Sequence, residues 1–413
     1  MKITHIHIER FRGFQNEDFE VGSLLTAIAG QNGTQKSTLL GIITQTFTLK
    51  TEDSMRVEKP LCGGSYISAF KDKFRLSPTF DKPKGHEWTI SFDAGMDDFT
   101  VESIKRTGDP NVRFWKKGAR QEGDGYISFP TIFLSLKRLV PVAEEAKIIT
   151  DDTLLTQEEL NEFKQLHNKI LIAQTPISSA TTITSKNKQS IGVSTELYDW
   201  NQNSMGQDNL GKIILALFSF KRLHDKYPRQ YKGGILAIDE MDATMYPASQ
   251  VELLKVLRKY ASKLNLQILF TTHSMSLLKA MDDLVQEVTK KEETANQAKI
   301  LYLKKVDDKI AIKQGVNFKG IQLDLNVVAE GNNRKKNRIT AYTEDKENIL
   351  FVKAILKSKA FVLDFVDVTL PCSTLMELVT KRVPAFIYPY SIVILDGDVR
   401  MNKNDLRKIN NCR

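Results

Sequence analysis

The chain opens with alternating apolar and polar positions, followed by a second, continuous apolar run. Ile6 and Ile8 alternate with polar neighbours, and residues 24–29 are apolar up to Gly30. A glycine-rich stretch and helical spacing of apolar residues come next, which predicts a strand, a loop and a helix in that order. Aromatic and β-branched runs between residues 49 and 139 predict antiparallel strands.

The middle of the chain alternates between helical and strand patterns. Thr156 and Glu159 fit a capping box, which predicts one helix through Ile172. Residues 175–190 are rich in Ser, Thr and Lys and predict a mobile loop. Strands then alternate with helices, as is typical of a parallel α/β sheet. The predicted helices are 208–224 and 249–264, and the predicted strands are 234–239, 267–272, 300–304 and 309–313.

A third region follows the basic segment 334–338, which we interpret as a linker. Its pattern predicts a strand at 339–343, a helix at 345–357, a further strand and helix, and a strand at 392–395. We therefore expect a first domain at 1–330, with inserted strands and helices at about 50–200, and a second domain at 331–413.

Composition agrees with two or three folded domains. The 413 residues are 41% hydrophobic and 26% charged, which is typical of a soluble globular chain. No apolar stretch reaches the roughly 18 residues of a membrane span, and the first residues lack the apolar core of a signal peptide. The three cysteines, Cys62, Cys372 and Cys412, have no metal-ligand spacing. They indicate reduced thiols in the cytoplasm.

Positive charge is concentrated at the carboxyl end. The net charge is +9, and residues 331–413 hold 15 Lys and Arg against 9 Asp and Glu. This excess is compatible with DNA or RNA contact through a basic C-terminal region, and equally with a solvated basic surface.

The strongest chemical signal is a phosphate-binding loop. Such a loop needs inward-pointing backbone N–H groups, a lysine for the β- and γ-phosphates, and a hydroxyl for Mg²⁺. Lys36 and Ser37 match these roles. Gln35 stands where the usual pattern has glycine, and we expect this departure to affect the rate of ATP turnover more than ATP binding. The candidate ATP-binding residues are Gly30, Asn32, Gly33, Thr34, Gln35, Lys36, Ser37 and Thr38.

Two later strand ends carry candidate catalytic residues. Residues 235–238 are apolar and run into Asp239, a candidate Mg²⁺ ligand together with Ser37, and Glu240, a candidate general base. The next apolar strand ends at His273, which is placed to contact the γ-phosphate. Upstream, Ser204, Gly206 and Gln207 open a helix, where N–H groups and the helix dipole form an anion site.

Along the chain, the phosphate loop is followed by the motif at 204–207, then by the carboxylates at 239–240 and then by His273. The four motifs in this chain order resemble the ATP-binding-cassette layout of the SMC, RecF and OLD branch, over about residues 1–315. The resemblance implies an α/β ATPase head of mixed antiparallel and parallel sheets with helices, binding ATP and Mg²⁺. It implies that Phe11 and Arg12 lie near the base or ribose. It also implies that Ser204, Gly206 and Gln207, with Asp242, act across an ATP-dependent dimer. The usual Gln-loop is not identified, and the strand end at 135–138 is a candidate for its neighbourhood.

The C-terminal region resembles a small TOPRIM-like αβ domain, or part of one. Glu344 follows a strand as in that fold's Glu motif, and Asp396 and Asp398 match its DxD motif. The resemblance implies a possible second metal site formed by these three carboxylates. Asp345 departs from the glycine of the motif, and an αβ domain with surface acids is an equally good interpretation.

An OLD-type ATPase with such a tail resembles the PtuA family of Septu anti-phage ATPases, including forms carried beside retrons. The resemblance implies a regulatory ATPase, dimeric or of higher order, that controls a separate HNH nuclease, with a retron reverse transcriptase and its RNA and DNA as further candidate partners. The alternative is an autonomous OLD-type, Mg²⁺-dependent DNA nuclease. A RecF-like clamp in repair also fits the cassette but leaves the C-terminal carboxylates unexplained.

Overall fold

A computed structural model describes residues 1–67, 70–93, 95–105, 112–119, 124–140, 148–151, 154–185, 189–329, 339–387 and 391–401. The chain divides into two compact units, Met1–Leu325 and Asn326–Arg413. The basic segment 334–338 and Cys412 lie outside the described residues. Across the described residues, no helix combines the length and the apolar character that crossing a bilayer requires.

From residue 205 onward strands and helices alternate, as the apolar pattern predicts, although the helices at Met275–Val288 and Phe318–Ala329 were not among the predicted elements. The strands are β1 (Ile3–Phe11), β2 (Phe14–Glu20), β3 (Leu25–Gly30), β4 (Phe47–Thr48), β5 (Glu87–Phe92), β6 (Phe99–Lys105), β7 (Val112–Lys116), β8 (Ile127–Ser128), β9 (Thr131–Leu134), β10 (Ile149–Asp151), β11 (Ser179–Thr184), β12 (Gln189–Ser194), β13 (Gly234–Ile238), β14 (Leu266–Thr272), β15 (Ala298–Val306), β16 (Lys309–Lys313), β17 (Ile339–Thr343), β18 (Leu363–Phe365) and β19 (Ser391–Ile394). The α-helices are α1 (Lys36–Thr44), α2 (Phe70–Lys73), α3 (Gln157–Leu171), α4 (Met205–Lys226), α5 (Pro247–Lys263), α6 (Met275–Val288), α7 (Phe318–Ala329), α8 (Lys346–Leu356) and α9 (Cys372–Thr380).

A six-stranded sheet forms the centre of the first unit, in the order β16-β15-β3-β14-β13-β9. Its strands are parallel except for β16, which pairs antiparallel with β15. The α/β fold class and the parallel sheet are therefore confirmed. Strand β9 is parallel to β13, so the expectation of antiparallel strands throughout residues 49–139 is wrong at its end.

The antiparallel strands predicted before residue 117 are present in a five-stranded sheet, β2-β1-β5-β6-β7. Strands β4 and β8 pair with each other in parallel, which corrects the prediction at a second place. Both corrections have the same cause: an apolar run that predicts a strand carries no information on the direction of its partner.

Two apolar clusters enclose the parallel sheet, one on each face. Along β13, Ile235 and Ala237 join the cluster shared with α1 and the antiparallel sheet, whereas Leu236 and Ile238 join the cluster shared with α4, α5 and α6. Successive side chains of a strand point to opposite faces, so burial on both faces explains the uninterrupted apolar run. Helix α3 begins with the predicted capping box, in which Thr156 and Glu159 bond reciprocally.

The prediction of a mobile loop at 175–190 is wrong. Strands β11 and β12 form an antiparallel hairpin here, joined to β10. Ile183, Ile191 and Val193 are buried in it. Threonine is β-branched and favours strands, so a Thr-rich segment with alternating buried positions is compatible with a sheet. Residues 186–188 lie outside the described residues.

The second unit has a parallel three-stranded sheet in the order β18-β17-β19. Helices α8 and α9 lie between these strands in sequence, which confirms the predicted alternation of strand and helix. Asp345 caps α8, because its carboxylate accepts the backbone N–H of Asn348.

Candidate functional site

Four parallel strands of the central sheet end at one edge, and a candidate functional residue follows or ends each of them. Ile238 pairs with Leu134 and with Phe270, and Thr272 pairs with Ala29. The ends of β3, β9, β13 and β14 are therefore adjacent. In open α/β sheets, ligands bind beyond the carboxyl ends of the strands, so this edge is the candidate site.

Lys36 begins α1 and points back into the loop that precedes it. Its Nζ donates to the carbonyls of Gly30 at 3.0 Å and Gln31 at 2.8 Å. Burial lowers the pKa of Lys36 to about 8, against the raising influence of Glu240 and the neighbouring carboxylates. Lys36 is therefore a buried cation held at the mouth of the loop, ready to exchange carbonyl partners for phosphate oxygens.

The other loop residues show how the turn is built. Thr34 is buried and its hydroxyl donates to the Gln31 carbonyl at 2.8 Å, whereas Asn32 and Gly33 are exposed. Gln35 adopts the left-handed conformation with φ 61°, where glycine is favoured. Its buried Oε1 has no hydrogen-bond partner among the described residues. The structure thus locates backbone strain at the position where the sequence departs from the usual glycine.

Asp239 joins the loop to the sheet edge. Its Oδ1 accepts from the hydroxyl of Ser37 at 2.9 Å and from that of Thr271 at 2.7 Å. A carboxylate beside a serine hydroxyl is an oxygen donor set of the type that Mg²⁺ prefers. The two residues predicted to hold Mg²⁺ therefore lie together and fit that ion.

Glu240 is held in a strained conformation. It is a non-glycine residue with φ 50°. Its N–H donates to Thr271 Oγ1 at 2.6 Å, and its carbonyl accepts from Arg138 Nη2 at 2.8 Å. Left-handed non-glycine residues persist where the surroundings hold them, often at active sites. No local sequence pattern predicts this backbone geometry.

His273 follows β14 and lies in the same electrostatic field. Its backbone N–H donates to Asp242 Oδ1 at 3.4 Å. Burial and the nearby Lys36 lower the pKa of His273 below its ordinary value, outweighing the opposing effect of Asp242 and the other acids. The ring is therefore neutral at pH 7 and has a donor to offer a phosphate oxygen.

Ser204 and Gln207 form a capping box at the start of α4. Ser204 Oγ accepts the Gln207 N–H at 3.3 Å, and Gln207 Oε1 accepts the Ser204 N–H at 2.8 Å. Gly206 is required by close packing, because a Cβ there would lie 2.6 Å from the carbonyl oxygen of Thr244. The motif therefore packs against the loop that follows Asp242, and Ser204 remains exposed.

A buried arginine connects three parts of the site, and sequence reasoning did not assign it a role. Arg138 is 2% exposed, and its Nε donates to Asn209 Oδ1 of α4 at 2.7 Å. Its Nη1 donates to the carbonyls of Leu134 and Ser135, and its Nη2 to that of Glu240. Arg138 thus links the end of β9, the helix behind Ser204 and the backbone of Glu240. The only available signal was its place in the strand end at 135–138.

Phe11 and Arg12 have different surroundings. Phe11 is fully buried in an aromatic cluster with Phe74, His86 and Phe114, so its ring presents no face to a nucleotide base. This contradicts the expected position of its side chain beside the base or ribose. Arg12 does lie beside the loop, with its Nη1 3.5 Å from the hydroxyl of Thr38.

Two of the three candidate carboxylates of the second unit follow neighbouring strands. Thr343 pairs with Ile394 across the parallel strands β17 and β19, so Glu344 and Asp396 follow neighbouring strand ends. The side chain of Asp398 lies outside the described residues. Among the described residues, no group of three or more His, Cys, Asp or Glu side chains is arranged to hold a metal ion.

Part of the chain is similar to a known family of ATPase domains. Residues 135–278, which include Glu240 and His273, match the AAA ATPase domain family. A search of curated proteins found none that matches this chain.

Three solved SMC head domains resemble the chain. The SMC head domain from Thermotoga maritima is 14% identical, with a TM-score of 0.42 over 76% of this chain and 100% of that one. An SMC head bound to the C-terminal winged-helix domain of ScpA is 14% identical, with a TM-score of 0.46 over 78% and 100%. An SMC head with an extended coiled coil, bound to the C-terminal domain of ScpA from Pyrococcus furiosus, is 13% identical, with a TM-score of 0.43 over 79% and 99%.

Proposed function

We propose that this chain binds and hydrolyses ATP at the sheet edge described above, and that it acts as the regulatory subunit of a cytoplasmic anti-phage complex. The observation that carries the ATPase assignment is the convergence of the loop lysine and the two strand-end carboxylates. The Ser37 hydroxyl donates to Asp239 at 2.9 Å, and the charges of Glu240 and Asp239 raise the pKa of Lys36 against the lowering effect of burial.

Each residue has a definite task in this scheme. Lys36 and the loop N–H groups bind the β- and γ-phosphates, and Ser37 and Asp239 hold Mg²⁺, which neutralises developing charge. Glu240 accepts a proton from water as the water oxygen bonds to the γ-phosphorus. The bond between that phosphorus and the bridging oxygen breaks, and its electron pair leaves with ADP. The neutral His273 donates a hydrogen bond to the transferring phosphoryl group.

We propose further that two copies complete each site, with Ser204 and Asp242 of one copy facing the nucleotide of the other. Ser204 is exposed at a helix start, where N–H groups attract phosphate. The neighbouring surface supports an interface. Met205 is 46% exposed, and Leu197 is 80% exposed beside Tyr198, whose hydroxyl accepts from Gln207.

Glu240→Gln tests this scheme. It should preserve ATP affinity and slow hydrolysis by roughly 10²–10⁴-fold, because the amide accepts no proton while Asp239 remains. ATP-bound dimers should accumulate, as measured by light scattering. Glu293→Gln, at an exposed position, is the matched control. A hydrolysis rate in Glu240→Gln equal to that of the wild type would refute the role of Glu240 as the general base.

The regulatory role rests on the resemblance to Septu ATPases. It predicts that the chain co-purifies with the product of a neighbouring HNH nuclease gene, and with a retron reverse transcriptase and its nucleic acid where one is encoded. Nuclease activity of that complex should require ATP binding by this chain. Co-purification from the native host, with identification of bound proteins by mass spectrometry, tests it. A chain that elutes without a nuclease would refute this part of the proposal.

One observation favours a second candidate, a nuclease using the chain's own TOPRIM-like carboxylates. Glu344 and Asp396 follow adjacent parallel strand ends, and carboxylates are ligands of the kind that Mg²⁺ takes. Replacing Asp396 and Asp398 together by Asn should leave a partner's cleavage intact if the chain is a regulator. Metal-dependent DNA cleavage by the purified chain, abolished by this double substitution, would establish the nuclease instead.

A further inference from the structure

Thr271, near the end of β14, is a buried polar residue to which the sequence motifs assign no role. It is fully buried, in a strand whose residues are all buried. Ile238 pairs with Phe270 in the parallel sheet. The next residues of the two chain segments, Asp239 and Thr271, are therefore neighbours, and Thr271 lies directly beside the candidate ligand of Mg²⁺.

The hydroxyl of Thr271 makes two hydrogen bonds of opposite direction. It donates to Asp239 Oδ1 at 2.7 Å and accepts the N–H of Glu240 at 2.6 Å. A hydroxyl has one proton, so donation to the carboxylate leaves a lone pair for the Glu240 N–H. The backbone carbonyl of Thr271 also accepts the N–H of Met241 at 3.0 Å. One residue thus holds three consecutive residues of the turn that follows β13.

These contacts fall on the two groups that the proposed reaction needs in fixed positions. Asp239 is 5% exposed, and its Oδ1 accepts from the hydroxyls of Thr271 and Ser37, which together orient this carboxylate. Glu240 has φ 50°, a conformation that costs free energy in a non-glycine residue. The hydrogen bond from its N–H to Thr271 offsets part of that cost and holds the turn in this conformation.

The neighbouring Thr272 shows that burial alone does not produce such contacts. Its Oγ1 accepts the N–H of Ser274, two positions along the chain, at 3.0 Å. Successive side chains of a strand point to opposite faces, so Thr272 is directed away from the turn after β13. Thr271, in contrast, bonds residues 31 and 32 positions away. Its hydroxyl joins two strand ends, whereas that of Thr272 stabilises a local turn.

We propose that Thr271 is a positioning residue of the ATP site, where it orients Asp239 for the divalent cation and fixes the backbone of Glu240. This inference rests on the proposed function. Thr271 acts through these two residues, because its hydroxyl is engaged by both of them. A ligand held in its binding orientation before the ion arrives loses less freedom on binding, so the hydroxyl should raise the affinity for the ion.

Mn²⁺ is the probe of the ion site, because oxygen ligands that suit Mg²⁺ also bind Mn²⁺. Mn²⁺ is titrated into an equimolar mixture of the chain and an ATP analogue that is not hydrolysed, and electron paramagnetic resonance measures the free ion. Thr271→Val replaces the hydroxyl by a methyl group and should weaken Mn²⁺ binding roughly 10- to 100-fold. Thr271→Ser keeps the hydroxyl and should bind Mn²⁺ as the wild type does.

ATP hydrolysis at saturating Mg²⁺ tests the second contact of Thr271. Thr271→Val should lower kcat roughly tenfold with little change in KM, because the Glu240 backbone loses an acceptor while the phosphate loop is intact. Thr271→Cys has a thiol, a weaker donor and acceptor than a hydroxyl. It should give intermediate losses of Mn²⁺ affinity and kcat, and it provides the test if the valine variant does not fold.

Thr26→Val is the matched control for loss of a buried threonine hydroxyl. Thr26 is fully buried in the same sheet, and its Oγ1 accepts the N–H of Gly22 at 2.9 Å. It lies near the start of β3, whereas the phosphate loop follows the end of that strand. Thr26→Val should keep wild-type Mn²⁺ affinity and kcat. Equal losses in Thr26→Val and Thr271→Val would overturn the inference, because a general loss of stability would then explain both.

Asp239→Asn separates this inference from the proposed function. If Asp239→Asn loses Mn²⁺ binding while Thr271→Val keeps the Mn²⁺ affinity and kcat of the wild type, the ion site stands and the role of Thr271 is wrong. If Asp239→Asn binds Mn²⁺ as the wild type does, the proposed ion site itself fails.

Discussion

Replacing Arg138 by Met removes the charged centre that joins Glu240 to α4 while keeping much of the side-chain volume. Arg138 donates to four acceptors, and the three of them that are backbone carbonyls each keep a second donor in the variant. The Leu134 carbonyl accepts from the Asp239 N–H, the Ser135 carbonyl from the N–H of residue 138, and the Glu240 carbonyl from the Ala243 N–H. Among the described residues, Asn209 Oδ1 is the acceptor that this substitution leaves without a donor.

The magnitude follows from this count. One buried acceptor without a donor costs about 1–3 kcal/mol, and lost hydrogen bonds to a charged group add to that. Removing the guanidinium also removes its desolvation cost, which offsets part of the loss. We therefore expect unfolding free energy to fall by about 2–4 kcal/mol. Release of the strained Glu240 backbone should also lower kcat about 10- to 100-fold, with KM little changed.

Guanidinium unfolding followed by tryptophan fluorescence measures the first effect, because Trp88, Trp115 and Trp200 all lie in the first unit. Steady-state ATP hydrolysis measures the second. Arg258→Met is the matched control, since Arg258 makes an exposed ion pair with Glu287 and such pairs contribute about 0–1 kcal/mol. Stability and kcat equal to those of the control would refute the positioning role of Arg138.

Three further predictions concern the loop and the core. Burial lowers the pKa of Lys36 to about 8, and phosphate binding needs the positive charge of this side chain. ATP affinity should therefore fall about tenfold per pH unit above pH 8. Calorimetric titrations that give equal ATP affinity at pH 7 and pH 9.5 would contradict this prediction. Burial lowers the pKa of His167 to about 4, so the unfolded chain binds more protons between about pH 6.5 and 4. Stability should decline by about 3 kcal/mol as pH falls through that window, and His167→Phe should remove this part of the decline in unfolding experiments. Gln35→Gly should relieve left-handed backbone strain of about 1 kcal/mol and raise kcat. Gln35→Ala removes most of the side chain but keeps the backbone strain, so its kcat shows whether crowding by the side chain or strain in the backbone slows turnover. A kcat unchanged in both variants would show that Gln35 does not limit turnover.

Site residues that belong to a local sequence motif were predictable from the sequence. Lys36 and Ser37 follow a strand and a glycine-rich turn, and Asp239 ends an apolar run, so local pattern alone places them at a strand end. Their convergence then follows from the parallel sheet, whose carboxyl ends share one edge.

Features that depend on distant contacts were not predictable in this way. The hydrogen bond from Arg138 to the Glu240 carbonyl joins residues 102 positions apart. The burial of Phe11 depends on rings from three other segments. The hairpin of β11 and β12 was missed for a related reason, because its polar composition conceals positions that only tertiary packing buries.

The most direct test of the central claim is calorimetric binding of Mg²⁺-ATP to the wild-type chain and to Lys36→Ala. Lys255→Ala, at an exposed position on α5, serves as the control for loss of one positive charge. The phosphate-loop assignment predicts saturable binding to the wild type and the control, and no detectable binding to Lys36→Ala. Equal ATP affinity in all three proteins would contradict the assignment of this sheet edge as the ATP site.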